Sequence, residues 1–120
     1  MKIANLTPHP ITLIKCDGST VNVEPFGFVL RVSEKSETLG EVYGIRLIKK
    51  TFSDIPENDI DKLKEIASAN DIVIVSAFCC KYLRERNIVI NNVFFISNTI
   101  RDANGRVVGA DAITRAEDIN

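Results

Sequence analysis

Apolar and polar residues alternate along the first half of the chain with the two-residue period of half-buried strands. Two such runs, Ile11–Cys16 and Ser19–Val23, flank the dipeptide Asp17-Gly18, which is typical of tight β-hairpin turns. A two-residue turn would place Ile14 opposite Val21. The pattern therefore predicts an antiparallel hairpin in this part of the chain.

The same patterns predict the structure of three further segments in this half of the chain. Phe28–Val32 is predicted as a third strand, and the polar stretch Ser33–Leu39 is predicted as an exposed loop. Glu41–Phe52 is predicted as an extended run that Gly44 interrupts. These segments favour a sheet built from sequential strands.

The period changes to that of a helix in the middle of the chain. Four apolar residues recur there at helical spacing: Ile60, Leu63, Ile66 and Ala67. They predict an amphipathic helix of about ten residues that ends near Asn70. The β-branched run Ile72–Val75 lacks alternation and predicts a strand buried on both faces. Ser76 then stands at a favourable N-cap position for a second helix, Ala77–Glu85.

The last third predicts a second hairpin. Val93–Asp102 and Val107–Ile113 are strand-like, and Ala103–Arg106 between them contains Asn-Gly, which indicates a type I′ turn. All 120 residues are thus expected to form a single α+β domain. Its two helices would accompany a mainly antiparallel twisted sheet or partial barrel.

The register of that second hairpin predicts a pair of converging cations. Ala103 opposite Arg106 implies Arg101 opposite Val108, so the two arginines would project diagonally from one face, about 7–8 Å apart. Guanidinium groups bind phosphate in a bidentate manner, which makes Arg101 and Arg106 candidate phosphate ligands. The alternative is that both are solvated arginines at the rim of the sheet.

Other candidate binding groups are aromatic and amide side chains. Phe78 and Tyr82, one helical turn apart, could stack on a base, or they could belong to the core. Asn92 and Asn98 carry amides that could read a base edge, although Asn91-Asn92 also fits a simple turn.

The second helix offers a further candidate site at its start. Free N–H groups near Ser76 could bind an anion, because a buried strand delivers them to the edge of a sheet. The segment lacks the Gly-rich loop of a Walker or Rossmann phosphate cradle, so those two nucleotide-binding classes are excluded.

Composition and charge narrow the function further. Fifteen basic and sixteen acidic residues give a net charge of −1, without the basic excess that nonspecific nucleic-acid binding requires. No apolar targeting segment follows Met1, and the longest apolar run, Ile72–Cys80, is shorter than the roughly twenty residues needed to span a bilayer. We therefore expect a soluble, intracellular protein that partners neither DNA nor membranes.

Residues suited to catalysis or metal binding are scarce. His9 is the one histidine and lies between two prolines, while Cys16, Cys79 and Cys80 lack the spacing of a metal site. We expect reduced, mostly buried thiols, no metal, no cofactor and no catalytic residue.

Three separated motifs carry a family resemblance: Asn5-Leu6-Thr7-Pro8-His9, Asp71–Ser76 and Ile100–Gly109. Together they resemble the first-described type of the anti-Thoeris sponge family, small phage proteins that sequester nucleotide immune signals. The motifs span essentially the whole chain and fall in the right order, and the opening one is the most distinctive.

The resemblance implies a sponge rather than an enzyme. Such a protein binds a cyclic ADP-ribose isomer made by bacterial TIR enzymes in the host cytoplasm and does not cleave it. It also implies a homodimer or higher homo-oligomer with pockets at subunit interfaces, and in some members a separate site for cyclic di- or trinucleotides. The two candidate arginines would then hold phosphate, the aromatic pair would stack on adenine, and the asparagines would read polar groups.

Two questions stay open at this point. Asn5, Thr7 and His9 could contribute to a pocket, but the flanking prolines favour a structural turn. A small nucleotide-cleaving enzyme and a phage protein–protein interaction module are the alternatives to a sponge.

Overall fold

The computed structural model describes all 120 residues. Its elements, in chain order, are β1 (Ile3–Asn5), β2 (Ile11–Ile14), β3 (Thr20–Val23), β4 (Glu34–Val42), β5 (Ile45–Phe52), α1 (Glu57–Ala69), β6 (Ile72–Ile74), α2 (Ala77–Glu85), β7 (Val93–Arg101), β8 (Val107–Arg115) and a short 3-10 helix, Ala116–Asp118. The expected α+β class with two helices is confirmed.

Six strands form the main sheet in the order β1-β6-β7-β8-β2-β3. The sheet nearly closes, because the backbone N–H of Phe26, just beyond β3, donates to the carbonyl of Asn5 at 2.8 Å. The sequence predicted either a twisted sheet or a partial barrel, and the nearly closed sheet agrees with the second of these. We refer to the main sheet, the two helices and their connections as the body.

The expectation of a mainly antiparallel sheet is wrong. Three of the five pairings in the main sheet are parallel: β1 with β6, β6 with β7, and β8 with β2. The first of these joins Ile3 to Ile72. Such a distant pairing leaves no trace in local alternation, so the hairpin-based reasoning could not detect it.

One hydrophobic core of fifteen buried residues stabilises the body. Helix α1 contributes all four of its predicted apolar residues, and it ends at Asn70, whose side-chain amide donates to the carbonyl of Ile66 at 2.9 Å. Strand β6 is buried between β1 and β7, as its β-branched run predicted. The Ser76 hydroxyl accepts a hydrogen bond from the N–H of Cys79 at 3.3 Å, which confirms the predicted N-cap of α2.

Strands β4 and β5 form a separate two-stranded hairpin, which we call the arm. Tyr43 and Gly44 connect them, with φ of 52° and 79°, as a type I′ turn requires. The predicted interruption at Gly44 is confirmed, but the predicted loop Ser33–Leu39 is wrong, because β4 occupies most of it. All residues of β4 are exposed, so the strand has no hydrophobic period by which to recognise it.

The predicted third strand, Phe28–Val32, is also wrong. This segment has no strand partner, although its alternating residues do turn toward the core. Leu30 is buried, and its N–H donates to the carbonyl of Leu6 at 3.2 Å. The alternation in Phe28–Val32 therefore predicted correctly which side chains are buried, but it did not predict that the segment lacks a strand partner.

The first hairpin is present, but its register differs by one residue from the prediction. Ile14 pairs with Thr20 rather than Val21, because the turn contains three residues and ends at Gly18, with φ of 87°. The Asp17 carboxylate accepts a hydrogen bond from the N–H of Ser19 at 2.9 Å and so stabilises the longer turn. Hydrogen bonds from Ser19, chiefly from its hydroxyl, hold the pKa of Asp17 below its usual value.

Candidate functional site

The carboxyl ends of β1 and β6 meet at one edge of the main sheet, because these neighbouring strands are parallel. An open cleft of about 450 Å³ lies there, and we call it the cleft. It is lined by Leu6, Thr7, Pro8, Val29–Glu34, Ser76 and Phe78.

The segment after β1 forms one wall of the cleft through a buried asparagine. The Asn5 carbonyl oxygen Oδ1 accepts from the N–H and the hydroxyl of Thr7, at 3.0 and 2.6 Å. Its Nδ2 donates to the carbonyls of His9 and Val23, at 2.7 and 3.3 Å. The Asn5–His9 segment is therefore held as a structural turn, the interpretation that its prolines favoured, while Thr7 lies at the wall of the cleft.

The charged groups of the cleft favour an anion. Arg31 is exposed there and forms no salt bridge, whereas the neighbouring Glu34 is paired with Lys50, Nζ to Oε1 at 3.2 Å. Helix α2 begins at the same edge, behind Ser76, and the first N–H groups of a helix attract negative charge. The cleft thus combines an unpaired guanidinium, a helix N-terminus and hydroxyl groups, which are the usual partners of phosphate.

Phe78 lies at the rim of the cleft with 63% of its surface exposed. Its ring centroid is 5.7 Å from that of Phe52, at the base of the arm, with the planes tilted by 32°. The alternative that Phe78 belongs to the core is therefore wrong. An exposed ring beside cationic groups can stack on a nucleobase.

Tyr82 lies one turn further along α2 and is half-buried against the core. It lines a second, smaller cavity of about 180 Å³ that also includes Phe78 and Lys81. The guanidinium of Arg86 lies 4.7 Å from the centre of the Tyr82 ring and also bonds the carboxylate of Asp54. Phe78 and Tyr82 are thus brought together, as their helical spacing predicted.

The predicted convergence of Arg101 and Arg106 rests on a register that is wrong. The turn holds three residues rather than two, since the N–H of Asp102 donates to the carbonyl of Arg106 at 2.9 Å. Arg101 consequently pairs with Val107. Because successive residues of a strand alternate between faces, Arg106 lies on the face of the hairpin opposite to Arg101. The Arg101 Nη1 also donates to the carbonyl of Gly105 at 2.7 Å, which ties this side chain to its own turn.

The two predicted asparagines already hold structural hydrogen bonds. The Asn92 Nδ2 donates to the carbonyls of Ala67 and Asn70, at 2.8 and 2.9 Å, which fastens the end of α1 to the start of β7. The Asn98 Nδ2 donates to the carboxylate of Asp111 at 2.6 Å, across the β7–β8 pair. Asn92 retains only its carbonyl oxygen for a ligand.

Within one chain the six predicted residues do not share a cleft. Phe78 and Tyr82 lie at α2, whereas Asn92 and Arg101 stand at opposite ends of β7, about 30 Å apart along the strand. The sequence-based reasoning missed Arg31, which is the one arginine that lines the cleft. The only sequence feature that could have indicated Arg31 is its position as a single cation between two apolar residues, Leu30, which is buried, and Val32, which is half-buried.

The thiols behind the cleft are neutral. Burial raises the pKa of Cys79 above its usual value and raises that of Cys80 to about 12. The Cys79 thiol also donates to the carbonyl of Leu30, at 3.3 Å. The prediction that the thiols are mostly buried is confirmed, with Cys16 alone exposed. Protonated thiols are weak nucleophiles and weak metal ligands.

Comparison with known proteins identifies no matching family model, no matching curated protein and no matching solved structure. Neither helix has the length and apolar character needed to cross a bilayer.

Proposed function

We propose that this protein is a nucleotide-binding protein that holds phosphate groups in the cleft. The observation that carries the proposal is the juxtaposition of Arg31, the start of α2 and the exposed ring of Phe78 at one sheet edge. The guanidinium and the helix N-terminus would bind phosphate, and the ring would stack on the base.

Within that class, the particular ligand we propose is a cyclic ADP-ribose isomer made by bacterial TIR enzymes. The protein would be a phage anti-defence sponge that sequesters this signal in the host cytoplasm without cleaving it. The proposal rests on the resemblance of the three motifs to the anti-Thoeris sponge family. A cyclic ADP-ribose has phosphates and an adenine, which match the cationic and aromatic groups of the cleft. A separate site for cyclic di- or trinucleotides is part of the same proposal.

The proposal includes a homodimer or higher homo-oligomer. Arg101 and Arg106 lie on the exposed β7–β8 hairpin, too far along the strand from Asn92 to share one pocket with it. Because the two arginines lie on opposite faces of the hairpin, one of them would reach the phosphates of a ligand only where the hairpin of one copy meets the cleft of another. An interface pocket would also cover the open side of the cleft.

The direct test is ligand capture. The protein is incubated with the products of a TIR enzyme, washed and heated, and the released compounds are identified by mass spectrometry. We expect an intact cyclic ADP-ribose isomer. At a ligand concentration a hundred times Kd, binding adds about 2.7 kcal/mol to the free energy of unfolding, a rise of roughly 10 °C in Tm.

Matched variants locate the site. We expect Arg31→Ala and Phe78→Ala each to weaken binding about tenfold or more, because a charge-assisted hydrogen bond or a base stack is worth about 1–3 kcal/mol. Phe26→Ala, which changes an exposed phenylalanine outside the cleft, is the control and should bind normally.

The double variant Arg101→Ala, Arg106→Ala should lose binding and keep its fold. Unchanged affinity would show that the β7–β8 hairpin is not part of the site.

The capture experiment also separates the alternatives. Release of a hydrolysed product would favour a small nucleotide-cleaving enzyme. No captured nucleotide at all would favour a protein–protein interaction module, an interpretation to which the exposed apolar side chains of the arm give some support.

A further inference from the structure

The arm carries apolar side chains that its own chain leaves uncovered. Five of them cluster at its far end: Leu39, Val42, Tyr43, Ile45 and Leu47. Tyr43 is 100% exposed and Ile45 is 73% exposed. Contiguous exposed apolar patches of this kind mark interaction surfaces.

The strand register separates the tip into two different faces. Val42 pairs with Ile45, and on the next rung Glu41 pairs with Arg46. Successive residues of a strand point to opposite faces, so the first pair and the second pair face away from each other. One face of the tip is therefore apolar and the other is charged.

The surface area of the chain supports a large partner contact. A compact monomer of this mass exposes roughly 6,450 Å², whereas this chain exposes 8165 Å². Its radius of gyration of 16.7 Å likewise exceeds the roughly 14 Å expected of 120 compact residues. The excess of about 1,700 Å² per chain is large enough to include the roughly 800 Å² that each partner buries in a standard interface.

Charge along the arm argues for a partner that is itself nearly neutral. Its acidic residues stand opposite basic ones, since Glu37 pairs with Lys49 and Glu41 with Arg46. The whole chain carries a net charge of only −1, so two copies do not repel each other.

We propose that the apolar face at the tip of the arm docks on a second copy of this chain and forms a main part of a homodimer interface. The sponge proposal requires only that a second copy be present. The additional claim is that the tip of the arm is the surface that binds that copy. It does not depend on nucleotide binding.

Sedimentation of the purified chain without nucleotide tests the inference over a range of concentrations. The wild type should sediment at twice the chain mass. The variant Val42→Lys, Ile45→Lys places charge on the apolar face and should raise the dimer Kd by about a hundredfold or more. The control Glu41→Lys, Arg46→Glu changes the adjacent pair on the opposite face, preserves opposite charges across the strands and should leave Kd unchanged.

Three results would overturn the inference: a monomeric wild type at every concentration, a lysine variant that dimerises normally, or equal weakening by the control. Circular dichroism reports whether the lysine variant keeps its fold. If it does not, a photo-reactive phenylalanine analogue in place of Tyr43 decides the question. Irradiation of the purified protein should give a covalent product of twice the chain mass, and its absence would refute docking of the tip.

Discussion

The body and the arm use β-structure in opposite ways. In the body, four of the six strands, β1, β2, β3 and β6, have only three or four residues each, yet β6 is largely buried and the core packs on both helices. In the arm, the strands have nine and eight residues, and every one except Ile48 is exposed. Strand length and stability are thus separate properties, since burial of side chains stabilises the body, whereas backbone and cross-strand pairs are the main contacts that stabilise the arm.

The body and the arm should therefore contribute unequally to the free energy of unfolding. An isolated two-stranded hairpin is marginally stable in water, whereas a packed core unfolds cooperatively. We therefore expect the free energy of unfolding of the monomer to reside in the body. The arm should contribute little until a partner covers it.

The largest expected effect is the difference in free energy of unfolding between two leucine variants, one in the body and one in the arm. Leu63 of α1 is fully buried, and Leu63→Ala should lower the free energy of unfolding by about 3 kcal/mol through lost burial and a residual cavity. Leu47→Ala in the arm should change it by less than about 0.5 kcal/mol, provided that unfolding is measured by urea on monomeric protein. Similar losses in both variants would contradict the division between body and arm.

A second prediction concerns the hydrogen bonds of the buried side chain of Asn5 in the body. Asn5→Ala leaves the backbone carbonyls of His9 and Val23 without their side-chain donor, which should cost about 2–3 kcal/mol. Asn22→Ala is the control, because its side chain accepts one hydrogen bond from Thr12 on the exposed surface. We expect the control to lose well under 1 kcal/mol in the same urea titration. If the two variants lose the same free energy of unfolding, the hydrogen bonds of Asn5 contribute no more than a surface contact.

The smallest effect should appear only in alkaline solution. The pKa of Cys80 is raised from 9.0 to about 12, so below pH 9 the thiol is protonated in both the folded and the unfolded state. Between these values the unfolded chain loses the proton while the folded chain keeps it, so stability falls as the pH rises. Comparing the free energy of unfolding at about pH 8 and about pH 10.5 should show a shallower fall in Cys80→Ala than in the wild type.

Cys16→Ala is the matched variant for that experiment. Its thiol is exposed in the first hairpin turn, so removing it should leave the alkaline fall as steep as in the wild type. A fall of equal steepness in all three proteins would show that burial of Cys80 does not couple folding to pH.

Local patterns predicted the helices and failed for the sheet order. The helical spacing from Ile60 to Ala67 and the cap at Ser76 lie within a few residues of the elements that they specify. The pairing of Ile3 with Ile72 depends on how the whole chain packs. Parallel neighbours of this kind have no turn between them that a sequence could reveal.

The two hairpin turns were predicted in place but with the wrong register. Asp-Gly and Asn-Gly favour two-residue turns, yet an aspartate within the first turn, Asp17, and one directly before the second, Asp102, accept hydrogen bonds from backbone N–H groups. These hydrogen bonds stabilise a three-residue turn that ends in glycine. The consequence is large for the candidate site, because a shift of one residue separates Arg101 from Arg106.

The candidate site was predictable only where it lies on one element. Phe78 and Tyr82 share a face of α2, so helical spacing alone brings them together. Arg31 lies on an irregular segment that reaches the same edge through the contact of Leu30 with Leu6. That placement follows from tertiary packing and from no motif.

The bridge between Asn5 and Pro25 protects the body from polymerising through its sheet. An open sheet ends in rows of unpaired N–H and C=O groups on which further chains can add strands. Here the two outermost strands lie side by side, and Pro25 has no N–H to offer. The arm keeps exposed strand edges, and there its lysines and glutamates and an irregularity between Thr38 and Gly40 oppose aggregation into fibrils.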